Sequence, residues 1–211
     1  MILKKKISNK VFNRNDFNLP KNSFVFCCFN KTQKITPHVF DIWMKILNKV
    51  NNSVLWLLED NKISNENLKK EAIKRNVDAQ RIIFAKKVSN QKHLSRIKNA
   101  DLFLDTFPYN GHTTACDSLF MHVPVLTIKG KSFASRVATS LLSAIGIGEL
   151  ATENLKEYRF SAIELAKSKP KILSYKEKLM INKSTYPLFN TKLYTKNLEK
   201  KFLEIWSKTK K

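Results

Sequence analysis

Residues 101–119 read DLFLDTFPYNGHTTACDSL, and this stretch decides the fold. A short apolar run, LFL, is followed by a turn through Pro108, Asn110 and Gly111, and then by a segment with the look of a helix from Thr113. A buried strand, a polar turn and a helix in that order form half of a strand–helix–strand unit. The next apolar run, VPVLTI at 123–128, supplies the following strand.

Working outward towards the N-terminus, SFVFCCF (23–29), SVLWLL (53–58) and RIIFA (81–85) read as three more strands. The segments between them read as helices. Thr36-Pro37 supplies an N-cap and a proline at the first helical position. Val39, Phe40, Trp43, Ile46, Leu47 and Val50 then recur at helical spacing. Ser64 and Ser89 are placed to cap the next two helices. From residue 131 the pattern is helical, interrupted near Gly146–Gly148, Pro170 and Pro187. The last helix carries Tyr194, Leu198, Phe202, Ile205 and Trp206 on one face.

Five apolar strands alternating with helices predict a doubly wound, parallel α/β sheet covered on both faces, with a C-terminal helical segment. The expected organisation is a basic arm or linker over 1–22, an α/β lobe over 23–186 and a C-terminal helix over 187–211.

Composition narrows the classes. Of 211 residues, 43% are apolar, enough for a full core. No apolar run approaches the roughly 18 residues of a membrane span. The N-terminus, MILKKKISNK, lacks the apolar stretch of a signal peptide. Cys27, Cys28 and Cys116 read as buried thiols of a reducing compartment, which predicts a cytoplasmic protein. The net charge is +22. The lysines are dispersed along the whole chain, which argues for a solvated surface and against a nucleic-acid-binding stripe. Such a charge still favours an anionic ligand.

In an open α/β sheet, ligands bind beyond the carboxyl ends of the strands. Four polar clusters fall there: FNKTQKI with Lys31 and Lys34, KKVSNQKHLSR with His93 and Arg96, DTFPYNGHTT, and KGKSFASR. The helix start after Gly111 offers unpaired N–H groups and a positive dipole end, a ready phosphate site. Gly111 lets the backbone approach closely, and Thr113 and Thr114 add hydroxyl donors. Lys34 is placed to neutralise phosphate charge, and Asp117 to accept from ribose hydroxyls. A nucleoside diphosphate fits this arrangement. The competing reading is that Gly and Thr serve only to cap the helix. The Gly146-Ile147-Gly148 pair lacks the third glycine of a dinucleotide fingerprint and reads as a helix C-cap. No Asp-X-Asp pair and no His/Cys spacing suggests a metal site.

Placed together, these motifs resemble the C-terminal, donor-binding half of the catalytic region of the protein O-GlcNAc transferases and SPINDLY-type glycosyltransferases, in a bacterial-like form. The resemblance runs from about residue 18 to Trp206. It rests on FNKTQKI, SVLWLLE, RIIFA, the His93–Arg96 pair, DLFLDTFPYNGHTTACDSL, FASRVATSLL and PLFNTKLYT in one order. It implies a Rossmann-like lobe of a two-lobed GT-B enzyme that binds a UDP-sugar, UDP-GlcNAc foremost, with no further cofactor and no metal. Transfer to Ser or Thr of an acceptor protein would be inverting.

The same resemblance implies residue roles. Lys34 contacts the donor diphosphate, with Lys31 as a second cation where relatives carry Gln or Asn. His93 packs on the base and Arg96 reaches it. His112, Thr113 and Thr114 bind phosphate, and Asp117 the ribose. Tyr109 stands where animal enzymes place a sugar-pocket cysteine, beside Asn110 and Gly111 of the same turn. Asn90 stands where those enzymes have a lysine near the ribose. The implied partners are the nucleotide-sugar, an acceptor protein, and an N-terminal lobe with tetratricopeptide repeats that this chain lacks. A lobe that binds without turnover, a GDP-fucose-dependent enzyme and a nucleic-acid module are the alternatives.

Overall fold

The computed structural model describes residues 7–209. Its sheet has six strands, β1 (Phe24–Cys28), β2 (Ser53–Leu58), β3 (Ile82–Ala85), β4 (Leu102–Leu104), β5 (Val125–Ile128) and β6 (Ala151–Thr152). Every pairing is parallel, and the order is β3-β2-β1-β4-β5-β6. Parallel strands buried on both faces need continuous apolar runs rather than alternation. That is why FVFCC, SVLWLL, LFL and VLTI were legible as strands, and residues such as Val25, Leu55, Phe103 and Leu126 are fully buried. The sixth strand is an addition to the five expected. It is two residues long, too short to leave an apolar run in the sequence.

Eight helices, α1 (Pro37–Lys49), α2 (Lys62–Ile73), α3 (Asn90–Ile97), α4 (Thr113–Phe120), α5 (Val137–Ala144), α6 (Leu155–Lys167), α7 (Lys169–Thr185) and α8 (Thr191–Thr209), accompany this sheet among the described residues. Thr36 caps α1 by accepting from the Val39 N–H at 3.3 Å, with Pro37 in the first turn. The predicted apolar face of α1 is buried. α2 starts earlier than expected: Asn61, not Ser64, is its N-cap, and the Asn61 side chain accepts from the Ser64 N–H. Ser89 holds the cap position of α3 but makes no capping bond with its side chain. After α5 the chain reverses through Gly146 at φ +78°. Ile147 N–H bonds to Leu142 O and Gly146 N–H to Ser143 O, the paired bonds of a Schellman stop.

The N-terminal segment departs from a free arm over much of its described length. Leu19 is buried in the core, and Phe17 packs on Trp56 with centroids 5.4 Å apart. Arg14 donates to the carbonyl of Ser23 at 2.6 Å and to Asp101 Oδ2 at 2.7 Å. Asp101 also accepts from the Val25 N–H and from Lys176 of α7. A single carboxylate ahead of β4 therefore ties the N-terminal strap, β1 and α7 together. Residues 1–6 of the expected arm lie outside the described residues.

Cys27 and Cys28 are buried and Cys116 is half-buried; none of the three forms a disulfide. Among the described residues, no helix is long and apolar enough to cross a membrane. α8 buries none of its side chains.

Candidate functional site

From β1 the chain moves outward through β2 and β3, then returns to place β4 on the other side of β1. The crevice beyond β1 and β4 is thus the switch point where an open sheet offers a ligand site. A cavity of about 780 Å³ opens there, lined by Phe29, Asn30, Lys31, Lys34, Leu58, Tyr109, His112, Thr113 and Thr114 among others. A larger groove of about 920 Å³ lies over α6 and the C-terminal half of α1. It collects surface lysines but none of the convergent groups described below, so the chemistry selects the smaller cavity.

One end of the cavity is built for negative charge. Lys34 Nζ donates to the Asn110 carbonyl at 2.8 Å and stands 3.7 Å from the centroid of the Tyr109 ring. Desolvation lowers the Lys34 pKa, and the neighbouring Asp105 works in the opposite direction. Tyr109 stacks on His112, with centroids 5.4 Å apart and planes 20° apart. The exposed ring of Phe133, from the loop after β5, meets His112 edge-on at 6.0 Å. Asn110 N–H bonds to Ala134 O and draws that loop in.

His112 is the N-cap of α4 and forms no side-chain capping bond. Thr113 lies inside the helix and is exposed. The capping explanation for the Gly-His-Thr-Thr sequence is therefore not the one realised. The first-turn amides of α4 receive no side-chain cap, in contrast with α1, α2 and α6, which Thr36, Asn61 and Asn154 cap. His112 Nε2 and Asn110 Oδ1 are buried without a hydrogen-bond partner among the described residues. Groups of that kind call for a ligand or a water.

At the other end Phe29 forms part of the wall, and a ring cluster with His93 and Trp56 packs behind it, outside the lining itself. Phe29 meets His93 edge-on at 4.9 Å and Trp56 at 5.0 Å. Arg96 is only 2% exposed. It donates to His93 Nδ1 at 3.1 Å and to the Lys86 carbonyl at 2.6 Å, and its guanidinium stacks near Phe29 and Trp56. Burial, then the charge of Arg96, pushes His93 down to about 4. Burial lowers Arg96 itself to about 10. Arg96, expected to reach a base, is bonded here to His93 and to the Lys86 carbonyl.

Of the expected residues, the cavity wall brings together Lys31, Lys34, Tyr109, His112, Thr113 and Thr114. Asn110 and Gly111 are fully buried beneath it, and Asp117 is buried in α4. Lys31 is exposed at the rim. The Thr114 hydroxyl, expected as a phosphate donor, instead donates to Asn30 Oδ1. Two residues at the centre were absent from the sequence reading: Asn30, at the end of β1, and Asp105, at the end of β4. The signal that would find them is a polar residue ending an otherwise apolar strand at the ligand-binding edge, FVFCCFN and LFLD.

An open parallel sheet with a cationic, amide-rich cavity at its switch point defines a doubly wound α/β lobe. The chain belongs to glycosyl transferase family 41, whose family model matches residues 4–198. It is 37% identical over 195 residues to the probable UDP-N-acetylglucosamine–peptide N-acetylglucosaminyltransferase SEC of Arabidopsis thaliana, covering 92% of this chain and 20% of that protein. It is 35% identical to the UDP-N-acetylglucosamine–peptide N-acetylglucosaminyltransferase of Caenorhabditis elegans, covering 92% of this chain and 17% of that one. The solved structure of a mutant O-GlcNAc transferase from Thermobaculum terrenum superposes with a TM-score of 0.83 at 29% identity, over 87% of this chain and 36% of that chain. The chain therefore spans about a fifth of the length of these curated relatives and matches the C-terminal part of their catalytic region. The doubly wound fold is that of a GT-B lobe.

Proposed function

We propose that this chain is the donor-binding half of a protein O-linked N-acetylglucosaminyltransferase, holding UDP-GlcNAc for transfer to Ser or Thr of an acceptor protein. The observation that carries this reading is the meeting of Lys34, the Tyr109–His112 stack and the uncapped start of α4 in one cavity. The diphosphate would lie against Lys34 and the first-turn amides, and the base would lie towards Phe29 and His93. Lys31 at the rim would add charge.

In an inverting transfer the acceptor hydroxyl attacks the anomeric carbon. An acceptor oxygen–carbon bond forms, the bond from that carbon to the diphosphate oxygen breaks, and UDP departs with the electron pair. The hydroxyl proton goes to a base outside this chain. Lys34 and the α4 amides stabilise the charge growing on the leaving group, by donors fixed before the reaction. With that charge met by protein donors, the step proceeds without a metal.

The acceptor lobe would cover α8. Tyr194, Phe202, Ile205 and Trp206 are each at least 60% exposed on that helix, a patch of the kind that marks an interface. Calorimetric titration with UDP, with GDP and a short RNA as comparators, tests the reading. Saturable UDP binding that His112→Ala abolishes is the expected result. Preference for GDP would move the donor to GDP-fucose. Salt-sensitive RNA binding without nucleotide binding would overturn the proposal.

A further inference from the structure

A buried carboxylate beneath a site for a diphosphate is at first sight the wrong charge. Asp105 is 2% exposed, and every hydrogen bond to its carboxylate is one it accepts. Oδ1 takes the Gly111 N–H at 2.6 Å, the Thr106 N–H at 2.9 Å and Asn30 Nδ2 at 3.1 Å. Oδ2 takes the Thr127 hydroxyl at 2.7 Å. Beneath it, the buried Tyr158 hydroxyl donates to the Asp105 carbonyl at 3.0 Å. Burial pushes the carboxyl up to about 6, and the hydrogen bonds from Gly111, Thr127, Asn30 and Thr106 restrain that rise. Four donors facing the two oxygens are the surroundings of a carboxylate.

The chain of bonds continues beyond Asp105. The Asn30 amide nitrogen is committed to Asp105 and to Thr106 Oγ1 at 2.7 Å. That commitment turns Asn30 Oδ1 towards α4, where it accepts from the Thr114 hydroxyl. Gly111 sits inside the triangle: a Cβ there would lie 2.7 Å from Asn30 Oδ1 and Thr114 Oγ1, and 3.1 Å from Asp105 Oδ1.

We propose that Asp105 is the positioning residue of the phosphate-binding turn. Its carboxylate fixes the Gly111 backbone and, through Asn30, the Thr114 hydroxyl, so that the α4 amides stand ready before a diphosphate arrives. Its charge is engaged by protein donors from β1, β5 and the turn, which makes a carboxylate tolerable at this place. This inference rests on the donor-lobe reading above.

The test compares UDP with uridine, which lacks the phosphates, on the full chain. Asp105→Ala removes four accepted bonds at once. It should weaken UDP by about 30-fold or more and leave uridine within about two-fold. Asp105→Asn keeps one oxygen for Gly111 and Asn30 and offers its NH₂ to the Thr127 hydroxyl. It should restore UDP affinity to within about five-fold of the parent. Asn30→Ala breaks the link to Thr114 together with the Asn30 bonds to Asp105 and Thr106, and leaves the Gly111 and Thr127 bonds of Asp105 in place; it should cost about 10-fold for UDP alone, and it serves if Asp105→Ala does not fold. Equal losses for UDP and uridine that follow the melting temperature would reduce Asp105 to a structural residue and overturn the proposal. So would unchanged UDP affinity in Asn30→Ala. If the parent chain binds no UDP, the donor-lobe reading fails and this inference falls with it.

Discussion

Arg96 donates through its side-chain Nε to Nδ1 of His93 at 3.1 Å, one turn apart on α3. A guanidinium has no lone pair to offer, so His93 Nδ1 must be the acceptor. The ring proton then sits on Nε2, and the imidazole is neutral at physiological pH. Replacing Arg96 with Met should free the ring and leave the Lys86 carbonyl without its donor. Loss of a bond to a charged donor costs about 1.5–3 kcal/mol. Uridine affinity should fall by about 10-fold, measured by competition calorimetry, with UDP falling by the same factor.

The depressed His93 also predicts a pH dependence of stability. Its folded value, about 4, lies below the ordinary 6.5. Its contribution is therefore complete above pH 6.5 and is lost as pH falls towards 4. Over that window the melting temperature of the parent should drop more steeply than that of His93→Gln. Asp105, raised to about 6, acts with the opposite sign, because its protonation as pH falls relieves a buried charge. The comparison with His93→Gln cancels that part. Parallel curves for the two proteins would count against a neutral, buried His93.

Lys34 is held by the Asn110 carbonyl and the Tyr109 ring. In the full enzyme, with an acceptor lobe present, Lys34→Ala should slow turnover by about 10²–10³, as loss of one preorganised donor does. On the proposed reading the amine would face the leaving group rather than the base, so the effect should fall on kcat more than on uridine affinity. Steady-state kinetics alongside uridine titration separates the two.

Gly111→Ala forces a methyl group against Asn30, Thr114 and Asp105. Overpacking of this kind costs about 1–3 kcal/mol, and here the displaced atoms are those of the turn proposed to hold the diphosphate. A modest fall in denaturation midpoint with a disproportionate loss of UDP affinity is the expected pattern.

α8 buries none of its side chains, so Phe202→Glu with Trp206→Glu should leave the melting temperature of this chain nearly unchanged. The same pair should abolish assembly with a separately expressed acceptor lobe. Sedimentation of the mixture, with the unaltered chain alongside, reads both self-association and assembly.

How much of this could be read from the sequence follows from where each residue's partners lie. β1, β2 and β5 announced themselves because both faces of a parallel sheet are buried, so the signal is local and continuous. β6 carries only Ala151 and Thr152, and its existence depends on pairing with Thr127 and Ile128. Nothing within those two residues records it. The cluster of Lys34, His112 and Thr113 at one sheet edge followed from topology alone. Asn30 and Asp105 escaped because a single polar residue at a strand end has many uses; only the register of β1 beside β4 brings the two together. Phe17 and Leu19 sit in a polar, basic stretch, and their burial depends on Trp56 and the core, far along the chain.

β4 is three residues long and carries an aspartate at each end. Asp101 secures Arg14 and Lys176 at the edge away from the cavity, and Asp105 secures the turn that shapes it. Chemically identical side chains four positions apart thus serve different parts of the molecule. The outer clamp can be exchanged for another as the strap or α7 drifts, provided the scaffold survives. The inner one cannot be exchanged without releasing Gly111, Thr106, Asn30 and Thr127 together. The surface and attachments of such a lobe can therefore be redesigned at Asp101 without touching the turn that Asp105 anchors.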